Sequence, residues 1–415
     1  LKRNEIELIA PVGSYESLRA AIQGNADAVY FGVGKLNMRS KSSLNFDLND
    51  LKKIINICNE NKVKAYVTLN SIIYDNDFQK LHETIDACKE EGVNAIIASD
   101  ISAIKYSNSI GLEVHISTQQ NISNLEAVKF FARFSDIIVL ARELNLNQIK
   151  NIVQYIEKEN ITGPSGNKVK IEIFAHGALC MAISGKCYLS LHENNHSANR
   201  GECYQICRRV YVVKDKETDT QIEIDNEFIM SPKDLCTISF LDKILDSGIR
   251  VLKIEGRARS AEYVKTVTET YNEAIINYCE GAYNAEKIMK WLNKLTTVYN
   301  RGFWDGYYLG KKLGEWSNVY GSIATKKKFY IGKCLNYFSN IKVAEFIIET
   351  GSIQICDDIL ITGPTSGVIE GKVDEIRVNL LPVNSAEKGD KFSIKVSEIV
   401  RRSDKLYKVL SINPE

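Results

Sequence analysis

The sequence predicts an α/β fold, a TIM-like (β/α)8 barrel with an inserted cysteine-rich loop and a small C-terminal all-β domain. Three observations predict it. Eight short apolar runs recur along the chain, nearly all followed by an amphipathic stretch at helical spacing, which is the rhythm of parallel β/α units. Between the seventh and eighth runs that rhythm breaks for a polar segment holding four of the ten cysteines and three of the five histidines. Beyond about Trp316 the texture changes to short runs punctuated by Gly, Pro and Asn, as in small all-β domains. An open doubly wound sheet is the alternative arrangement of the same units.

In order, the strand candidates are ELIAPVG, DAVYFG, KAYVTLN, NAIIASD, EVHISTQ, DIIVLAREL, KVKIEIFAHG and RVLKIEG. The first is followed by SYESLRAAIQGN and the second by a polar loop, Lys35 to Phe46. A helix over Leu48 to Glu60 comes next, with Leu51, Ile54, Ile55 and Cys58 on one face. Further helices are expected near Asp77 to Glu91, from Ile101, from Leu125, over Leu146 to Glu159, around Leu235 to Asp246 and from Ser260. A hairpin is expected at Val210 to Val213 with Gln221 to Ile224. The reading divides the chain into a barrel at 1–282 with an insertion at 176–236, a helical linker at 283–315 that includes Ala285 to Leu295, and a β-domain at 316–415.

Composition narrows the function classes. Lys and Arg number 53 against 52 Asp and Glu, so no global basic field coats the protein, although a local patch is allowed. The first residues, LKRNEIELIAPVGS, hold no apolar run of secretory-signal length, and no later stretch approaches a membrane span, so a cytoplasmic protein with no membrane partner is expected. In a reducing compartment clustered thiols point to metal, and isolated ones to core. Cys58, Cys88, Cys279, Cys334 and Cys356 stand singly among apolar neighbours and read as small buried hydrophobes.

The segment Phe174 to Arg209 carries the chemistry. Cys180, Cys187, Cys203 and Cys207 are interspersed with His176, His192 and His196. Four thiolates suit structural zinc as well as an iron-sulfur cluster, and spacing does not separate the two. In a barrel this insertion follows a strand C-terminus, where active sites gather. His192-Glu193-Asn194-Asn195-His196 spells the H-E-x-x-H of zinc proteases. That motif works on a helix, and these surroundings are rich in Asn, Ser and Gly, so coincidence is the expected reading.

The stretches FAHGALCMAISGKCYLS, ANRGECYQICR, SPKDLC, LAREL and KIEGRARS resemble the recurrent blocks of the collagenase-like peptidase U-32 family over most of the chain. Similar members include the prephenate-dependent RNA hydroxylation proteins, which form 5-hydroxyuridine at the tRNA wobble position or 5-hydroxycytidine in rRNA. The resemblance implies a [4Fe-4S] cluster on Cys180, Cys187, Cys203 and Cys236, with Cys207 in reserve because another branch uses both cysteines of the C-x-x-x-C pair. It also implies prephenate as the source of the hydroxyl oxygen. If prephenate binds, its carboxylates need cationic partners; Arg142, Arg257 and Arg259 sit at expected strand ends and Arg39 in the loop after the second strand. Surface ion pairs, such as Arg142 with Glu143, are the plainer reading. Glu172 and His176 frame the seventh strand as candidate proton-handling residues. For an RNA partner, Lys326, Lys327 and Lys328 with Phe329 and Tyr330, and Arg301, Phe303, Trp304 and Tyr307, are candidate phosphate and base contacts. A protease of the kind the family name describes is the rival function.

Overall fold

The computed structural model describes residues 1–41, 44–212, 228–310 and 315–412. Seven parallel strands follow one another around a barrel: β1 (Glu7–Pro11), β2 (Ala28–Gly32), β3 (Lys64–Leu69), β4 (Ala95–Ala98), β5 (Glu113–Ile116), β6 (Ile137–Val139) and β7 (Lys170–Gly177). After them β8 (Asp234–Cys236) adds antiparallel to the end of β7, and β9 (Val251–Ile254) pairs in parallel with both β7 and β1, closing the eight-stranded ring. The barrel, not the open sheet, is therefore the fold. Outside it, β10 (Phe303–Trp304) pairs with β8.

The helices α1 (Tyr15–Gln23), α2 (Leu51–Glu60), α3 (Phe78–Glu90), α4 (Ile101–Ser109), α5 (Leu125–Ala132) and α6 (Leu146–Glu159) alternate with the strands as their apolar periodicity predicts. Next come α7 (Leu189–Asn194), α8 (Leu241–Asp246), α9 (Ala261–Cys279) and α10 (Ala285–Thr296). One expectation fails here. The helix placed around Leu235 starts only at Leu241, because Asp234 to Cys236 are taken up by β8. Of the expected hairpin, residues 213–227 lie outside the described residues, and Val210 to Val212 form no strand.

Strand alternation sorts the core into two shells. Leu8, Ala10, Val29, Phe31, Val114, Ile171, Ile173 and Leu252 belong to the layer beneath the helices, whereas Ile9, Ala28, Tyr30, Tyr66, Ile97 and Val251 fill the barrel interior. The same period of two turns His115, Glu172 and Lys253 inward among these apolar residues. Of the isolated cysteines, Cys58, Cys88 and Cys334 are buried and Cys279 is partly buried, but Cys356 is exposed on a turn at φ +71°. It falls in the turn between the strands Ser352–Gln354 and Asp358–Gly363, where neither strand's alternation buries it.

The strands of the C-terminal part are β11 (Lys326–Phe338), β12 (Val343–Ile348), β13 (Ser352–Gln354), β14 (Asp358–Gly363), β15 (Gly367–Lys372), β16 (Ile376–Val378), β17 (Leu381–Val383), β18 (Ser385–Glu387), β19 (Lys391–Lys395) and β20 (Lys405–Ser411). They form an eight-stranded antiparallel sheet, β15-β14-β20-β11-β12-β19-β16-β17, and a separate two-stranded one, β13-β18, around a core of their own. This part docks on α1 and α9: the Gln23 amide donates to Ser366 O at 3.1 Å and accepts from Val368 N at 2.9 Å, and Lys265 Nζ donates to Val368 O at 2.9 Å. Among the described residues no helix is long and apolar enough to cross a membrane.

Candidate functional site

The segment after β7 folds over the C-terminal mouth of the barrel. It leaves β7 through Gly177 at φ +108°, where any Cβ would run into the Glu255 carbonyl oxygen, so only glycine turns the chain here. The loop is then tied to its neighbours: Cys187 N donates to Asn199 Oδ1 at 3.1 Å, Ile72 N to Asn199 O at 3.1 Å, and Lys41 N to Gly201 O at 3.2 Å. Beneath it lies a cavity of about 150 Å³ whose wall includes Cys180, Cys187, Cys203 and Cys207.

These four thiols differ in their surroundings. Cys180 is exposed at the loop surface; desolvation by the surrounding groups disfavours its thiolate, but the Arg142 and Arg39 guanidiniums outweigh this and lower the thiol below its ordinary value. Burial raises Cys187, and it pushes Cys207 up to about 11, reinforced by the nearby Cys180, Cys203 and Cys187. The donor set suits a thiophilic metal or cluster in number and type. In this conformation, among the described residues, no three His, Cys, Asp or Glu side chains are drawn together into a closed ligand group. Cys236 sits apart from the other thiols: it is 5% exposed on β8, lines neither cavity beside the loop, and is pushed up to about 12 by burial. The structure thus brings Cys207, not Cys236, to the wall shared by the other three.

Three of the four arginines reach the same cavity. Arg39 Nη2 donates to Glu255 Oε1 at 2.8 Å. Arg257, 5% exposed, donates to Thr68 Oγ1 at 2.8 Å and to Asn37 Oδ1 at 3.1 Å, and burial pushes it down to about 10, still a cation at neutral pH. Arg142 directs its charge at Cys180, and its buried Nε has no partner among the described residues. Arg259 does not line this cavity; it stacks 3.6 Å from the centre of the Tyr299 ring and stands 3.9 Å from Asp234.

Glu172 and His176 part company. Glu172 is fully buried in the barrel interior, where its Oε1 accepts from Lys253 Nζ at 2.8 Å and its Oε2 lies 3.6 Å from His115 Nδ1. A register shift between Phe174 and His176 inserts an extra residue into β7, so His176 leaves the inward face that alternation assigns to it. It packs instead between α9 and β10, against Tyr263, Tyr271 and Phe303, opposite Cys236. Burial first, and then Arg259, push it down to about 3. It therefore lines neither cavity beside the loop and stays neutral.

Sequence reasoning missed Lys253, Glu255 and Tyr30. All three line the cavity, with the Lys253 ammonium 4.6 Å above the Tyr30 ring and Tyr30 donating to Glu255 Oε2 at 3.0 Å. Alternation in RVLKIEG could have found the first two, since residues two apart share a strand face.

The H-E-x-x-H motif does not assemble. A short helix, α7, does carry His192 and Glu193, contrary to the expectation of no helix, but it stops at Asn194. Asn195 turns left-handed at φ +56°, and His196 lies beyond it, its Nδ1 2.8 Å from Glu202. The two imidazoles are therefore not a turn apart on one helix. Of the expected RNA contacts, Trp304 is 6% exposed and Lys328 pairs with Glu262 at 2.8 Å, so these two serve packing between elements, while Arg301 lines a small cavity beside the thiols and stands 3.4 Å from Asp234.

Residues 13–318 match the family model of Peptidase family U32. The chain belongs to this family. It is 58% identical over 405 residues to a Porphyromonas gingivalis protein named "Collagenase", covering 98% of both chains. It is 33% identical over 339 residues to "tRNA hydroxylation protein P1" of Bacillus subtilis, covering 80% of this chain and 77% of that one. It is also 35% identical over 276 residues to "23S rRNA 5-hydroxycytidine C2501 synthase" of Escherichia coli, covering 66% of this chain and 39% of that protein. RNA hydroxylation is thus an activity named within the U32 family.

Proposed function

We propose that this U32 member hydroxylates C5 of an RNA pyrimidine without dioxygen, foremost the tRNA wobble uridine, using prephenate as hydroxyl donor and a [4Fe-4S] cluster. The observation that carries the reading is one cavity in which four thiols meet three guanidiniums and the Lys253 ammonium. Such a site suits a soft metal centre beside a dianionic small molecule. The names of the RNA-hydroxylating relatives supply the reaction class.

Cys180, Cys187, Cys203 and Cys207 would hold the cluster, which when bound supplies a site for one-electron chemistry or for binding the donor. Arg142 and Arg257 present fixed donors to carboxylates, while Glu255 holds Arg39 in place. Phe174, Met181 and Ile183 give the cavity an apolar side against which the ring of the donor would pack. The expected location is cytoplasmic, where tRNA and prephenate coexist. The test is nucleoside analysis of tRNA and rRNA from a strain lacking the gene. Loss of 5-hydroxyuridine derivatives, restored by the wild-type gene but not by an Arg142→Ala copy, supports the reading; unchanged nucleosides in both RNAs remove it.

The name of the 58% identical relative favours a second reading, a protease. Two arrangements bear on it. The H-E-x-x-H histidines are separated by a chain reversal, and the one Cys-His neighbour pair described above, Cys236 with His176, has its thiol raised and its imidazole lowered, both toward the unreactive neutral forms.

A further inference from the structure

A second, smaller cavity of about 80 Å³ lies on the other side of the thiol wall. Cys180, Cys203 and Cys207 face it, as do Arg39, Arg208, Arg259 and Arg301. Its charges do not balance. Arg39 is matched by Glu255. Arg259 and Arg301 share one carboxylate, Asp234, at 3.9 and 3.4 Å. Arg208 donates to neutral acceptors, Ser231 Oγ at 3.0 Å and the Pro232 and Leu179 carbonyls at 2.6 Å each. Among the described residues three guanidiniums thus face one carboxylate, the Cys180, Cys203 and Cys207 thiols being the other groups here that could carry negative charge. Tyr299 orients two of the cations, with Arg259 at 3.6 Å and Arg301 at 5.1 Å from its ring centre. Buried like charges held this way mark a place where an anion completes the site.

We infer that this second cavity binds a phosphodiester of the RNA strand, on the opposite side of the thiol wall from the cavity that takes the small dianion. The inference rests on the RNA-hydroxylase reading for the identity of the polymer. Planar guanidiniums fit phosphate oxygens in pairs, and a phosphate fixed here would set how far the target base reaches toward the thiols.

The test uses the full chain, purified anaerobically, with three probes: an unmodified tRNA transcript, the dinucleotide UpU and inorganic phosphate. Arg259→Met is the main variant and Arg301→Met the second, so that one misfolded variant does not decide the outcome. The expected result is that tRNA binding weakens, the slope of log affinity against log salt shallows by roughly 0.7 for one lost contact, and UpU binding falls about tenfold or more, while visible thiolate-to-iron absorbance is retained. Unchanged slope and affinity overturn the inference. Loss of the absorbance with RNA binding intact also overturns it, since the arginines would then be balancing thiolates. Inorganic phosphate bound as tightly as UpU overturns the assignment to an RNA backbone. Arginine-dependent tRNA and UpU binding in a protein whose deletion leaves every nucleoside unchanged supports the phosphate site while removing the hydroxylase reading.

Discussion

Lys253 Nζ donates to Glu172 Oε1 at 2.8 Å inside the barrel, where the two side chains are 5% and 0% exposed. The pair reaches across from β9 to β7 and ends at the cavity floor, with His115 completing it on the Glu172 side at 3.6 Å. A barrel interior is ordinarily packed with branched apolar side chains, so charges here are tolerated only as partners.

Removing one partner should therefore be costly. Lys253→Met leaves the Glu172 carboxylate buried and short of its main cation, a loss of about 3–5 kcal/mol. Urea unfolding should show it, and adding Glu172→Gln should recover a large part. A single-variant loss below about 1 kcal/mol would show that the pair is not coupled as drawn.

The same pair sets a pH dependence. Burial alone would raise Glu172, but Lys253 and His115 outweigh it and hold the carboxyl down at about 2, against an ordinary 4.5. A depressed folded pKa gives stability that is present above the unfolded value and lost as pH falls through the window from about 4.5 to about 2, up to about 3 kcal/mol. Glu172→Gln should flatten that limb of a stability-against-pH curve.

The ligand set divides the thiols. Cys180→Ser, Cys187→Ser, Cys203→Ser and Cys207→Ser should each lose bound iron and visible absorbance in anaerobically purified protein, while Cys236→Ala should keep both. Retention in Cys207→Ser with loss in Cys236→Ala would restore the set that family resemblance implies. Stoichiometric zinc in a colourless wild type would replace the cluster altogether.

Arg142→Ala should weaken binding of prephenate by about tenfold to a hundredfold, the range of a lost charge-assisted contact, as measured by calorimetry. His192→Ala should leave prephenate affinity and RNA hydroxylation unchanged, because His192 and His196 do not converge. Gelatin or collagen cleavage that depends on His192 would instead support the protease.

The barrel was legible because its signal is local. ELIAPVG and RVLKIEG alternate inward and outward residues within one run, and helices such as Leu146–Glu159 repeat their apolar face every turn, so neighbouring residues carry the information. The concentration of thiols after KVKIEIFAHG was equally plain, and so were Arg39, Arg142 and Arg257 near strand ends. Arg259 and His176 were not. One extra residue in β7 redirects His176 to the far side of the strand, and nothing in the letters FAHG marks that shift.

Sequence alone determined the β/α rhythm, the all-β C-terminal portion and the soft-donor chemistry of one segment, since each is written in residue type and short spacing. Tertiary structure decided which groups meet. Glu172 and Lys253 are 81 positions apart and meet because β9 pairs with β7; Arg39 and Glu255 are 216 apart and meet because β9 also pairs with β1 and closes the ring. It also set Cys207 on the thiol wall and Cys236 behind it, because β8 pairs with β7 and buries its last residue against α9.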